Sequence, residues 1–232
     1  MADGPLPVIV SGGVARVTID HPPTNLVDGV FLKGLLEFLD RFENDDQVRV
    51  AVFASADPDF FLMHGDVRGI LSMPTGSYVP AVQPNAAAVG FDCLRTSRLV
   101  SIGVIDGAAR GGGAEFLTAL DLRYASPRAV LGQPEVPMGI LPGAGGTARL
   151  PRLLGRSRAL EIILTGRDIP AEEACAIGWV DAVVPSADLS AYADAIAQRI
   201  ASMPPESIAA VKRVVDTSLG SITPALTAET DA

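Results

Sequence analysis

Residues 109–116 read ARGGGAEF, with Gly111, Gly112 and Gly113 directly before Ala114 and an acid, Glu115. Ordered glycine costs conformational entropy, so a run of three needs a reason. The chain before the triplet ends a strand-like run at VID, and the chain after it is apolar at helical spacing. The triplet therefore reads as a strand-to-helix turn. The first amides of a helix have no intrahelical partner and lie at the positive end of its dipole. Glycines there let a carbonyl or an anion come close, which makes the turn a candidate anion site or an oxyanion hole. A second acid, Glu135, stands in LGQPEVPMG, also among apolar neighbours. Two such acids near one amide cluster fit a general acid/base pair. The residues alone leave blander alternatives open: a structural glycine turn, a solvated Glu135, and a Glu115 placed only by the helix dipole. A Walker-type phosphate loop is disfavoured, because no Lys-Ser/Thr follows the glycines, and the dinucleotide-binding spacing is absent.

These groups need elements to hold them. Residues 14–20 (VARVTID) read as a strand after the turn signal Ser11-Gly12-Gly13, and 28–43 as an amphipathic helix with Asp28 as its N-cap. Residues 48–55 read as a buried strand and 57–66 as the loop after it. Prolines and glycine make 72–84 a mobile surface loop, and a helix is expected over 85–97. Buried strands follow at 99–107 and 121–126, with the helix opened by the triplet between them. Short extended pieces and turns fill VLGQPEVPMGILPGAGG, residues 130–146. Helices are expected at 146–153, 157–165 and 171–179, the last ending at Gly178, then a short strand in WVDAVVP and helices at 186–202 and 205–218. The tail after Gly220 has only weak helical character. Alternating strands and helices predict an α/β fold of parallel βαβ units.

The 232 residues are 48% hydrophobic but only 5% aromatic, which suits one domain of buried strands and close-packed helices. A net charge of −9 and the lack of a basic run with interleaved aromatics argue against nucleic acid or an anionic membrane as partner. No basic n-region, no long apolar h-region and no run of about eighteen apolar residues appear, so neither a signal peptide nor a membrane span is expected, and the compartment expected is the cytoplasm. Cys93 and Cys175 are far apart in apolar helical contexts and read as two small buried hydrophobes rather than a disulfide or a nucleophile. With two histidines and no metal-ligand cluster, no metal or redox cofactor is implied.

GGGAE, then DLRYAS, then LGQPEVPMGILPGAGGTARLPRLLG, then ALEIILTGRDIPAEEACAIGWVDAVVP together resemble the enoyl-CoA hydratase/isomerase (crotonase) superfamily. The earlier pieces PPTNLVD and VRVAVFAS fit its opening pattern. The resemblance runs from about residue 8 to about residue 218, is weakest over 70–95, and is nearest to the hydratase members, which have both acids. It implies a spiral of repeated ββα units, the ClpP/crotonase fold, with a core domain over 1–185 and a helical C-terminal region over 186–232. It further implies a homotrimer or a dimer of trimers acting in fatty acid β-oxidation, with coenzyme A entering as part of the substrate. By this resemblance the amides of Gly65 and Gly112 form the oxyanion hole for the thioester oxygen. Glu115 activates the water that attacks C3, and Glu135 handles the proton at C2. His64, Asp66, Arg68, Gly111, Pro134 and Gly143 are the positions it sets against the acyl-CoA: Arg68 near the CoA phosphates, Pro134 stiffening the approach to Glu135, and Gly143 opening the helix that lines the acyl site.

The chain departs from the pattern in three places. MHGD (63–66) stands where Ala-Gly-Ala-Asp is common, so Met63 and His64 narrow the site, and His64 is a possible third titrating group. Arg110 replaces an apolar residue and would lower the pKa of Glu115 if it came near; a salt bridge at a trimer contact is the alternative. The region after about residue 220 is shorter than usual, which fits either a fragment or a minimal member with a weakened CoA site. Hydration of 2-enoyl-CoA is the leading expectation. Double-bond isomerisation, thioester hydrolysis and acyl-CoA binding without turnover are the alternatives.

Overall fold

Residues 6–71 and 83–231 are described by the structure, a computed structural model. Gly12 and Gly13 turn the chain between β1 (Val8–Ser11) and β2 (Val14–Ile19). Helix α1 (Gly29–Phe42) starts at Asp28, whose side chain accepts from the amides of Val30 and Phe31, and it buries Phe31, Leu35, Phe38, Leu39 and Phe42 at helical spacing. Then come β3 (Val50–Ser55), β4 (Phe60–Leu62), the short α2 (Val67–Leu71) and α3 (Ala86–Thr96), the last capped by Asn85. Strands β5 (Val100–Ile105) and β6 (Ala108–Arg110) lead into α4 (Gly112–Ala119). Strands β7 (Leu122–Ala125) and β8 (Val130–Gly132) lead through a 3-10 turn at Val136–Met138 to α5 (Gly146–Leu154). The remainder is α6 (Arg156–Thr165), β9 (Asp168–Pro170), α7 (Ala171–Ala176), β10 (Ala182–Val183), α8 (Ser186–Ala201), α9 (Pro205–Leu219) and α10 (Thr223–Asp231).

Two sheets form, one ordered β1-β2-β3-β5-β7-β10 and one ordered β4-β6-β8-β9. The pairs β3/β4, β5/β6 and β7/β8 each place one strand in either sheet before the chain enters a helix, so the chain winds as a spiral of ββα units. The expected parallel pairing holds through the middle of both sheets. Antiparallel pairs close one edge of each, β1 on β2 and β8 on β9.

Several expectations need correction. The stretch 57–66 is not all loop, because β4 lies within it. The glycine triplet does not follow the buried strand ending at VID directly: β6 intervenes, so the turn leaves the second sheet. Strand β9 was not foreseen. Cys93 is exposed and Cys175 only partly buried, because each falls on the outward side of its helix; both are free. Most of the surface loop expected over 72–84 lies outside the described residues. Between the sheets and helices lies one large core that runs from Val17 and Phe31 to Trp179, and a smaller cluster joins α8 to the far side of the first sheet. Among the described residues no helix is long and apolar enough to cross a membrane.

Candidate active site

Helix α4 is fixed before any polar group is considered. All of its residues but Thr118 are buried, as expected for a helix surrounded by other elements. Phe116 lies at the centre of the core, its ring 5.4–5.7 Å from those of Phe31, Phe53 and Phe91 and 6.5 Å from that of Phe61. Edge-to-face contacts of this kind set ring orientation as well as burying area. Two glycines of the triplet then have separate causes. Gly111 is the N-cap with φ +54°, a left-handed value that costs an L side chain strain, and a Cβ there would stand 2.9 Å from Glu135 Oε1. Gly113 is needed for close approach: a Cβ on it would lie 1.7 Å from the carbonyl oxygen of Leu62, so α4 rests directly on the backbone of β4.

That contact brings the 63–65 segment to the start of α4. The segment is held on its other side by residues 25–27: Met63 N–H donates to Asn25 O (2.8 Å), Val27 N–H donates to His64 O (3.2 Å), and Val27 and Gly65 form a parallel bridge. Asn25 is buried, and its side-chain amide donates to Ser55 Oγ and to the carbonyls of Phe60 and Phe61. A Cβ on Gly112 would lie 3.3 Å from the Gly65 nitrogen, so the two amides are neighbours. Neither N–H donates a hydrogen bond among the described residues. Two unpaired donors side by side at a helix start can receive one oxygen atom that carries developing charge.

The acids stand around this point, both nearly out of solvent, Glu115 at 3% and Glu135 at 7% exposure. Glu115 Oε1 accepts from the amides of Ala144 (2.7 Å) and Gly146 (2.8 Å), at the entry to α5. Burial pushes its carboxyl up to about 8; Glu135 and Glu229 repel its charge in the same direction, while the Gly146 and Ala144 amides oppose the rise. Burial likewise pushes Glu135 up to about 7. Glu135 precedes the 3-10 turn, and its Oε2 is buried with no hydrogen-bond partner among the described residues. Both acids therefore titrate near neutrality, the range in which a carboxyl can both give and take a proton.

The other expected positions divide. His64 lies beside the triplet, its Cβ 3.1 Å from where a Gly111 Cβ would be, and its Nδ1 is 2.8 Å from Gly65 O. Asp66 accepts from the Arg68 amide (3.0 Å) at the start of α2, and Arg68 is exposed on that helix. Pro134 is half-buried next to Glu135. Gly143 accepts from the Asn85 side chain (2.5 Å) but does not begin the helix, since α5 starts at Gly146 after the left-handed Gly145. Met63 is buried. Arg110 does not approach Glu115: it forms a two-pronged pair with Asp168, joining β6 to β9 across β8, so the pKa of Glu115 is raised and not lowered.

Beside the site stand two further buried charged residues that the sequence reading does not single out. Glu229, on α10, accepts from the Ala148 amide (2.7 Å) and the Thr147 hydroxyl (2.5 Å). Arg149, 3% exposed, donates to Ala144 O (2.8 Å) and Ala88 O (3.2 Å). Clefts of about 400 and 370 Å³ flank α9, and neither is lined by Glu115 or Glu135. Among the described residues no group of three His, Cys, Asp or Glu side chains is arranged to hold a metal ion.

The model of the family described as enoyl-CoA hydratase/isomerase matches residues 10–231. A mitochondrial protein of Arabidopsis thaliana named as a probable enoyl-CoA hydratase is 35% identical over 205 residues, 88% of this chain and 67% of its own length. A peroxisomal fatty acid beta-oxidation multifunctional protein of the same plant is 38% identical over 181 residues; the match covers 76% of this chain but only 24% of that protein. A Streptomyces avermitilis protein named as a candidate enoyl-CoA hydratase superposes with a TM-score of 0.91 at 38% identity, covering 100% of this chain and 85% of the other. The enoyl-CoA hydratase from Bacillus anthracis gives 0.83 at 30% identity, over 91% and 82%.

Proposed function

This chain belongs to the enoyl-CoA hydratase/isomerase (crotonase) family, and we propose that it adds water across the 2,3 double bond of 2-enoyl-CoA thioesters to give 3-hydroxyacyl-CoA. The observation that carries this reading is the pair of buried acids, Glu115 and Glu135, both titrating near neutral pH beside the unpaired amides of Gly65 and Gly112. The two amides bind the thioester oxygen and stabilise the charge it gains as water attacks. Such donors, fixed before the reaction, need no reorganisation, and loss of one typically costs roughly a hundredfold or more in rate.

Hydration needs one base and one acid. Glu115 takes a proton from the water whose oxygen bonds to C3, and Glu135 delivers a proton to C2, so atoms and charge balance over the step. The pair must start with a single proton, placed on Glu135 in the productive form. With values of about 8 for Glu115 and about 7 for Glu135, the pair holds one proton between those limits; in the resting chain it lies mainly on Glu115, and the productive form is reached when that proton passes to Glu135. Arg110, which would have lowered the pKa of Glu115 from within the site, is occupied by Asp168.

Names of the relatives place them in mitochondria and peroxisomes and in fatty acid β-oxidation, and the same pathway is proposed for this chain. A homotrimer or a dimer of trimers is proposed with it; exposed Val211, Val214, Val215 and Leu219 on α9 supply an apolar surface suited to subunit contact.

The test follows absorbance of the conjugated thioester after crotonyl-CoA is added. Rapid loss is expected with the native chain, and loss slowed on the order of a thousandfold with Glu135→Gln. Undiminished turnover by Glu135→Gln would sink the mechanism. Mass analysis separates neighbouring reactions: hydration adds water, isomerisation leaves the mass unchanged, hydrolysis releases free CoA. Tight acyl-CoA binding without any of the three would replace the enzyme reading with a binding one.

A further inference from the structure

Glu229 is a buried acid for which the mechanism above has no use. It comes from the last helix, is 7% exposed, and meets the same turn that holds Glu115. The donors at the start of α5 are divided between two carboxylates: the Ala144 and Gly146 amides go to Glu115 Oε1, the Thr147 hydroxyl and the Ala148 amide to Glu229 Oε1. Arg149, one residue on, turns back to the carbonyl of Ala144 and closes this turn. The helix that carries Glu229 is itself well seated. Ile222 and Leu226 pack with Ala88 and Ala148, and Thr230 Oγ1 accepts from the Asn85 amide (2.9 Å), while the Asn85 side chain reaches Gly143 O.

One oxygen of Glu229 makes both capping bonds, and the other, Oε2, is buried without a partner among the described residues. A neutral glutamine could make the same two bonds through its carbonyl oxygen. What the acid adds, once ionised, is a negative charge near Glu115; burial raises its own pKa, while the Thr147 and Ala148 donors and Arg149 favour the charged form. We propose that Glu229 is a positioning residue for Glu115: its capping bonds fix the first turn of α5, which presents two amides to Glu115, and its carboxyl stands on the same turn as the catalytic one. The catalytic part of this inference rests on the hydratase reading; the electrostatic part does not.

The charged groups around the two acids are Glu135 beyond Glu115, and Arg149 from α5, which attracts both; Asp92 and Arg95 on α3 act on Arg149 in turn. With Arg149 unchanged, removing the charge of Glu229 takes away repulsion only, so Glu115 should lose its proton at lower pH.

The test is a carbon-13 titration of the glutamate carboxyls in the native chain, in Glu229→Gln and in Glu229→Ala, with Glu115→Gln to assign the signal. The Glu115 midpoint should fall by about half a pH unit or more in Glu229→Gln, which loses the charge and keeps the cap, and by less in Glu229→Ala, where loosening of the Ala144 and Gly146 amides acts the other way. The glutamine variant keeps the capping acceptor and should keep kcat within about threefold at the shifted optimum. The alanine variant loses the cap and should lose about tenfold in kcat with KM little changed. If the alanine variant does not fold, the glutamine variant, which keeps both capping bonds, still carries the test. An unmoved Glu115 midpoint in Glu229→Gln overturns the proposal. A moved midpoint with no crotonyl-CoA hydration by the native chain leaves the electrostatic link standing and removes the reaction assigned above.

Discussion

Glu115 and Glu135 are held differently. Glu115 has two amides on one oxygen, whereas Glu135 has a buried oxygen with no partner among the described residues. Both are pushed above the usual carboxylate range, and this has a sign in stability. A carboxyl whose folded pKa exceeds its unfolded one binds its proton more tightly when folded. Its contribution is fully present below about pH 4.5 and is lost as pH rises toward its folded value, here about 8 for Glu115. The loss approaches about 1.4 kcal/mol for each pH unit across that window. Glu115→Gln keeps an acceptor for the Ala144 and Gly146 amides but cannot ionise. Its melting temperature is therefore expected to match the native chain near pH 4.5 and to exceed it by several degrees at pH 8, as calorimetry at the two pH values would read; equal melting at both would contradict the burial of a charge here. The same pair predicts a bell-shaped dependence of kcat/KM on pH, with its maximum between about 7 and 8. A profile flat from pH 6 to 9 would show that neither acid carries a proton in the step.

Helix α4 owes its position to packing against backbone, and Gly113 is where that is most exposed to test. Alanine there would put a methyl group on the Leu62 carbonyl, so α4 must shift off β4. A loss of about 3 kcal/mol or more is expected, read as a drop in melting temperature on the order of 10 °C or as insoluble protein. Glu229→Gln should change stability far less, since its bonds are kept. The long elements were legible in the sequence because they carry periodicity: Phe31, Leu35, Phe38 and Phe42 face the core from α1, as their spacing predicts. Strands β4, β6 and β9 have three residues each, too few to show a period of two. They are nonetheless the strands that set the site, because β4 carries the 63–65 segment and β6 delivers the triplet. Glu229 was hidden for another reason. Ile222, Leu226 and Glu229 share one helical face, but an acid on an apolar stripe reads as its solvated end until Thr147 and Ala148 are seen beside it. The acids and glycines themselves were visible as residue types; that His64 lies beside Gly111, and that Arg110 turns to Asp168, depended on how β6, β8 and β9 align.

At the scale of the molecule, α9 has no buried residue, and Val211 and Val214 are each more than 60% exposed. A lone chain would leave that surface in water, so sedimentation is expected to give three or six times the chain mass, and Val214→Asp to shift the distribution toward the single chain. A monomer for the native chain would refute the assembly. The spiral also separates two tasks. The paired amides are fixed by Gly111, by Gly113 against Leu62, and by the ring of phenylalanines around Phe116, none of which depends on the carboxyl groups. Glu135 and Glu229 arrive on other segments. The amide pocket is thus a fixture and the acids are fittings: under the proposed hydration, a chain that lost or traded a carboxylate would lose the reaction and keep the fold that holds the two amides.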